Sequence, residues 1–111
     1  MNWIQLTGED QLQEIITQSG ITPQVVFKHS TRCSVSSIVL NRLNEGKQTV
    51  DADFYYLDLL KYRSLSNKIS EIFSKQHESP QVLLIKNGKC TYVESHIGIT
   101  MKELMEQTLP A

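Results

Sequence analysis

The chain is poor in the groups that would tie it together covalently or to a charged partner. Its 111 residues hold two cysteines, Cys33 and Cys90, too few and too far apart for a C-x-x-C redox pair or an all-cysteine zinc site. A net charge of −1 gives no electrostatic reason to bind nucleic acid or an anionic membrane. No apolar run is long enough to span a bilayer, and Met1 to Leu6 lacks the basic and apolar regions of a signal peptide. A cytoplasmic setting is therefore expected. A structural disulfide is not expected in such a reducing compartment, so the two cysteines are read as separate thiols.

What is present is an ordinary globular composition, 40% hydrophobic and 21% charged, sized for one domain over residues 1–111. Trp3 to Leu6 reads as a weak strand anchored by a partly buried Trp3. Thr7 is placed to cap a following helix with an acidic first turn, whose inner face carries Leu12, Ile15 and Ile16 and which ends at Ser19-Gly20. Pro23 introduces a second strand, Gln24 to Phe27. A helix with Val35, Ile38, Val39 and Leu43 at helical spacing follows and stops at Gly46. Phe54 to Leu59 is an aromatic-rich third strand, with Tyr55 and Tyr56 on opposite faces. Ser64 or Ser66 is expected to cap a third helix carrying Leu65, Ile69, Ile72 and Phe73 and ending near His77. Gln81–Lys86 and Lys89–Glu94 flank Asn87-Gly88, a strong hairpin signal because both turn positions need positive φ. Thr100 with Glu103 forms a capping box that opens a last helix over Met101, Leu104, Met105 and Leu109. The order is β-α-β-α-β-α-β-β-α, an α/β thioredoxin-like layout with a central mixed sheet, in which helix-connected strands pair in parallel and the closing hairpin is antiparallel.

The segment Phe27-Lys28-His29-Ser30-Thr31-Arg32-Cys33-Ser34-Val35-Ser36 delivers one thiol from a strand to the first turn of a helix. Unpaired N–H groups and the positive end of the helix dipole favour a thiolate there. Arg32 adds a positive charge beside it, and Ser34 and Ser36 are hydroxyl donors within reach of the sulfur. The plainer alternative is a small cysteine that only packs.

Three separated segments resemble the YtxJ family, the monothiol bacilliredoxins: Phe27 to Cys33 with Ser36, His77-Glu78-Ser79-Pro80-Gln81 through Lys86, and Ser95-His96 with Ile99-Thr100. The resemblance implies that Cys33 forms a mixed disulfide with bacillithiol and that Pro80 is the cis-proline of a thioredoxin-like fold. It implies no resident cofactor, bacillithiol as thiol co-substrate and S-thiolated client proteins as partners. A monomer is expected, with no nucleic acid or membrane partner. Against true thioredoxins, Ser36 replaces the second cysteine, so a mixed disulfide on Cys33 has no neighbouring thiol to resolve it. Phe27 stands where thioredoxins usually carry a buried carboxylate.

His29, four residues before Cys33, His77, three before Pro80, and His96, after the last strand, are placed to border one groove with Ser79 and Pro80. A neutral histidine there, His29 first, can accept the thiol proton, and a protonated one can stabilise the thiolate or contact a carboxylate of bacillithiol. The alternative for each is a satisfied surface or core histidine. Cys90 follows the hairpin turn, roughly 20 Å from the site at about 3.3 Å per strand residue, too far for direct pairing. It is read as packed or incidental. The leading reading is a monothiol thiol-disulfide oxidoreductase that removes a small thiol from protein mixed disulfides through Cys33 and is recycled by an external thiol. Two other functional readings remain open: a thioredoxin-fold binding module without turnover, and a metal site made of Cys33 and histidines, although no two of these stand at the spacing of a dedicated zinc motif.

Overall fold

Residues Gln24–His29 form β2, whose six side chains are all buried. In the computed structural model, which describes residues 1–109, this strand lies at the centre of a five-stranded sheet of order β1-β3-β2-β4-β5. The other strands are β1 (Trp3–Gln5), β3 (Asp53–Asp58), β4 (Gln81–Lys86) and β5 (Lys89–Ser95). The helices are α1 (Asp10–Gln18), α2 (Ser34–Glu45), α3 (Arg63–Phe73) and α4 (Met101–Thr108), and a 3₁₀ turn covers His96–Gly98.

β1 and β2 both run parallel to β3, while β4 is antiparallel to β2 and β5 antiparallel to β4. Two details of the expected pairing are corrected. The strands joined by α1 are not neighbours, because β3 inserts between them. The strand that follows α3 passes over to β2 and pairs antiparallel, so only β2-α2-β3 is a crossover between adjacent parallel strands. The closing hairpin is as expected, with Asn87 at φ 52° and Gly88 at φ 77°. A bulge between Leu84 and Ile85 shifts the register, so that Leu84 faces Tyr92 and Ile85 faces Cys90.

Strand alternation divides the interior into two cores. Val26, Tyr55, Leu57, Leu83 and Ile85 pack under α1 and α3 with Leu12, Ile15, Leu65, Ile69 and Phe73. Val25, Phe27, Phe54, Val82 and Leu84 pack under α2 and α4 with Val39, Leu43, Met101, Leu104 and Met105. Tyr56, with Trp3, belongs to the second core and Tyr55 to the first, so the tyrosine pair splits across the sheet. Ile38 (51% exposed), Ile72 (40%) and Leu109 (53%) fall outside the buried faces on which helical periodicity placed them.

Cap chemistry also differs from expectation at two helices. Thr7 does not cap α1; Glu9 occupies the N-cap, and the Gln11 side chain instead accepts from the backbone N–H groups of Thr7 and Gly8. Neither Ser64 nor Ser66 caps α3, which starts after Tyr62 and ends at Ser74 in the left-handed region. Thr100 does cap α4, its hydroxyl accepting from Glu103 N at 3.2 Å.

Gly46 ends α2, but with φ −71° rather than a left-handed conformation. Its smallness serves α4: a Cβ there would stand 2.5 Å from Cβ of Met101. Since Met101 Cβ is fixed to its backbone, Gly46→Ala has to push α2 and α4 apart. We expect a loss of about 1–3 kcal/mol in urea unfolding, with α2 retained because the backbone angles suit alanine.

Candidate active site

The polar residues of β2 determine what lies beneath the thiol. His29, 3% exposed, points to the α2 side, where Ser36 is fully buried. Ser36 Oγ accepts from the backbone N–H of Ser30 at 3.1 Å and lies 2.7 Å from His29 Nδ1. After accepting from Ser30 the hydroxyl still has one proton and one lone pair, so it pairs with Nδ1 in either ring tautomer. Burial holds His29 below the usual histidine value of 6.5, against the opposing charge of Asp58 and the Ser36 contact. The ring also packs 5.3 Å from Tyr56 and 5.7 Å from Phe27, which in turn sits 5.7 Å from Trp3.

Cys33 is the N-cap of α2, one position ahead of the first helical turn, in extended conformation (φ −103°, ψ 118°). Its N–H closes a turn onto Ser30 O (3.1 Å), and its carbonyl accepts from Ser37 N (3.1 Å). The thiol is unpaired and partly exposed. Arg32 and Ser34 are exposed on either side of it. Both hydrogen bonds of the Ser36 hydroxyl go to His29 and Ser30, so this serine braces the turn that carries Cys33 rather than reaching the sulfur.

Pro80 is buried and follows a cis peptide bond from Ser79. Because Lys28 is the register partner of Gln81, Pro80 enters the sheet at the end where β2 hands the chain to Cys33. Ser79 Oγ is buried without a partner. The Pro80 carbonyl accepts from His96 N at 2.9 Å, and the exposed His96 ring meets Glu78 at 3.1 Å. His96 has φ 58°, a conformation that turns the chain from β5 into the 3₁₀ segment. Arg42 of α2 donates to the carbonyls of Ile97 (2.8 Å) and Ile99 (3.1 Å), tying this segment to the Cys33 helix.

A family model described as monothiol bacilliredoxin BrxC matches residues 4–104. The chain belongs to that family. It is also similar to a solved structure described as a candidate oxidoreductase with a thioredoxin fold, at 30% identity and TM-score 0.81, covering 94% of this chain and 91% of the other. Thioredoxins of Schistosoma mansoni (18% identity, TM-score 0.76, 98% and 100% covered) and Fasciola hepatica (18%, 0.75, 95% and 98%) share the fold.

In this bacilliredoxin-family chain the three histidines have different partners. His29 meets Ser36 of α2, the backbone N–H of His96 donates to the Pro80 carbonyl, and His77, three residues before Pro80, meets Lys28 of β2 and Ser66 of α3. Cys90 lies at the hairpin end, half-buried, its thiol donating to Tyr92 O at 3.4 Å, and burial pushes its pKa up. Among the described residues no three His, Cys, Asp or Glu side chains gather closely enough to hold a metal ion.

Sequence reasoning passed over Lys28, which is fully buried on the α3 side of β2. Its ammonium donates to Ser66 O (3.1 Å) and Ser70 Oγ (2.9 Å) and lies 3.3 Å from His77 Nδ1. Burial pulls the amine from 10.5 down to about 8. The signal was legible: a charged residue within a run that the strand pattern buries. Ending the strand at Phe27 concealed it.

Ser36→Ala removes the partner of two buried groups, Ser30 N–H and His29 Nδ1, and is expected to cost about 1–3 kcal/mol in urea unfolding. His29 also makes stability pH-dependent. Its folded value lies below 6.5, so its contribution is complete above pH 6.5 and is lost as pH falls, because the unfolded chain takes up the proton first. His29→Gln, which keeps an acceptor for Ser36, should flatten that slope in unfolding measured across acid pH.

For Lys28 the depressed folded value means that the unfolded chain holds the proton more tightly between about pH 8 and 10.5. Stability of the wild type relative to Lys28→Met should rise as pH increases through that window, in paired denaturant titrations.

Proposed function

We propose that this protein is a monothiol thiol-disulfide oxidoreductase that removes bacillithiol, or a similar small thiol, from client proteins through Cys33. The observation that carries this reading is the partly exposed Cys33 at the α2 N-cap, with Ser36 in place of a second cysteine and engaged on His29 and Ser30. Family membership supports it.

The Cys33 thiolate attacks the sulfur of the small thiol within the client mixed disulfide. A new disulfide forms between Cys33 and the small thiol, the client sulfur–sulfur bond breaks, and the client cysteine leaves as a thiolate that takes a proton from water. No electrons are gained or lost overall. A second small thiol, or a partner enzyme, then attacks the adduct and returns Cys33 as thiolate. Serine does not exchange with disulfides, so resolution comes from outside the chain.

The test is intact-protein mass spectrometry after mixing the protein with client mixed disulfides carrying bacillithiol, glutathione or coenzyme A. The expected result is transfer of one thiol's mass to the wild type, release of reduced client, and no adduct on Cys33→Ser. Absence of any adduct, or an adduct that survives loss of Cys33, overturns the reading.

A further inference from the structure

Lys28 is a fully buried cation in the middle strand. An ammonium has three N–H donors, and the chain offers three acceptors: Ser66 O, Ser70 Oγ and His77 Nδ1. Ser66 Oγ also lies 3.3 Å from the same His77 nitrogen. An ammonium can only donate, so Nδ1 carries the lone pair and the ring's one proton is on Nε2. That nitrogen makes no hydrogen bond among the described residues and is not among the buried unpartnered atoms, so it faces outward. The surroundings oppose a second proton on the ring: burial first, then the charges of Lys28 on β2 and Arg63 on α3, with Glu78 acting the other way.

Lys28 also holds the segment on both sides of Pro80. Its backbone is the register partner of Gln81, one residue after the proline, and its amine reaches His77, three residues before it. An apolar residue in its place would leave Ser66 O, Ser70 Oγ and His77 Nδ1 without this donor.

We propose that Lys28 is a positioning residue for the exchange site, holding His77 as a neutral ring whose Nε2–H is offered to the disulfide bound beside Pro80. This rests on the oxidoreductase reading above. During exchange the negative charge spreads over the sulfur atoms, and a fixed N–H donor stabilises it without taking a proton from the incoming thiol. Without Lys28 the ring is free to place its proton on either nitrogen, and the donor is lost for part of the time.

The experiment is nitrogen NMR of the histidine rings in the full chain, with transfer rates from a bacillithiolated client measured across pH. In the wild type, His77 is expected to show an unprotonated Nδ1 and a protonated Nε2. In Lys28→Met its titration should move up by roughly one pH unit with the like charge gone, and the two neutral forms should mix. Transfer by Lys28→Met should be several-fold slower than wild type where the ring is neutral, and should recover as the ring takes its second proton. Loss caused by damaged packing alone would not recover in that way. A protonated Nδ1 in neutral wild-type His77 overturns the proposal without any variant, and so does a Lys28→Met ring that titrates and tautomerises unchanged. If no client transfers its thiol to Cys33, the oxidoreductase reading fails, while the ring spectra still report the Lys28–His77 pairing.

Discussion

The structure depends on one constraint: β2 is paired on both edges and covered on both faces. Every polar group it carries must find a partner inside the protein or be left unsatisfied at a cost. Gln24 Nε2 donates to Asp53, Lys28 reaches α3 and His77, and His29 meets Ser36 of α2. The last two contacts fix the surroundings of the Cys33 turn and of the Pro80 segment.

This arrangement gives Ser36 a meaning beyond the missing second thiol. A hydroxyl at that position accepts from Ser30 N–H and still has a proton for the ring of His29, whereas a thiol is a weaker partner in both roles. The residue that stands in place of a second cysteine is therefore also the one that anchors the Cys33 turn. Burial lowers the His29 pKa, and its Nδ1 is engaged by the Ser36 hydroxyl.

Much of this was visible in the residues. The hairpin at Asn87-Gly88 and the Thr100 cap are local, and local chemistry is what residue identity encodes most directly, whereas the cis bond before Pro80 was implied by the family resemblance and the residues alone also suit a trans proline opening a strand. The strand order was less accessible, because the insertion of β3 between β1 and β2 is decided by how crossovers pack and not by any single residue. Ile38, Ile72 and Leu109 have helical spacing but lie at the margins of narrow buried faces, a distinction that periodicity cannot draw. Around the site, Cys33 and Pro80 were readable as positions, while the partners of Ser36 and Lys28 depend on which sheet face each side chain takes.

The two outer strands carry a further consequence. An unpaired strand edge invites pairing with another chain, and the hazard grows with its length and flatness. Here one border of the sheet is β1, only three residues long, and the other is β5, which departs from regular register opposite Leu84 and Ile85 and carries Lys89 and Glu94. Neither border is a long, flat, uncharged template. A protein whose central strand is buried so completely can thus leave its sheet open at both sides without advertising it to its neighbours.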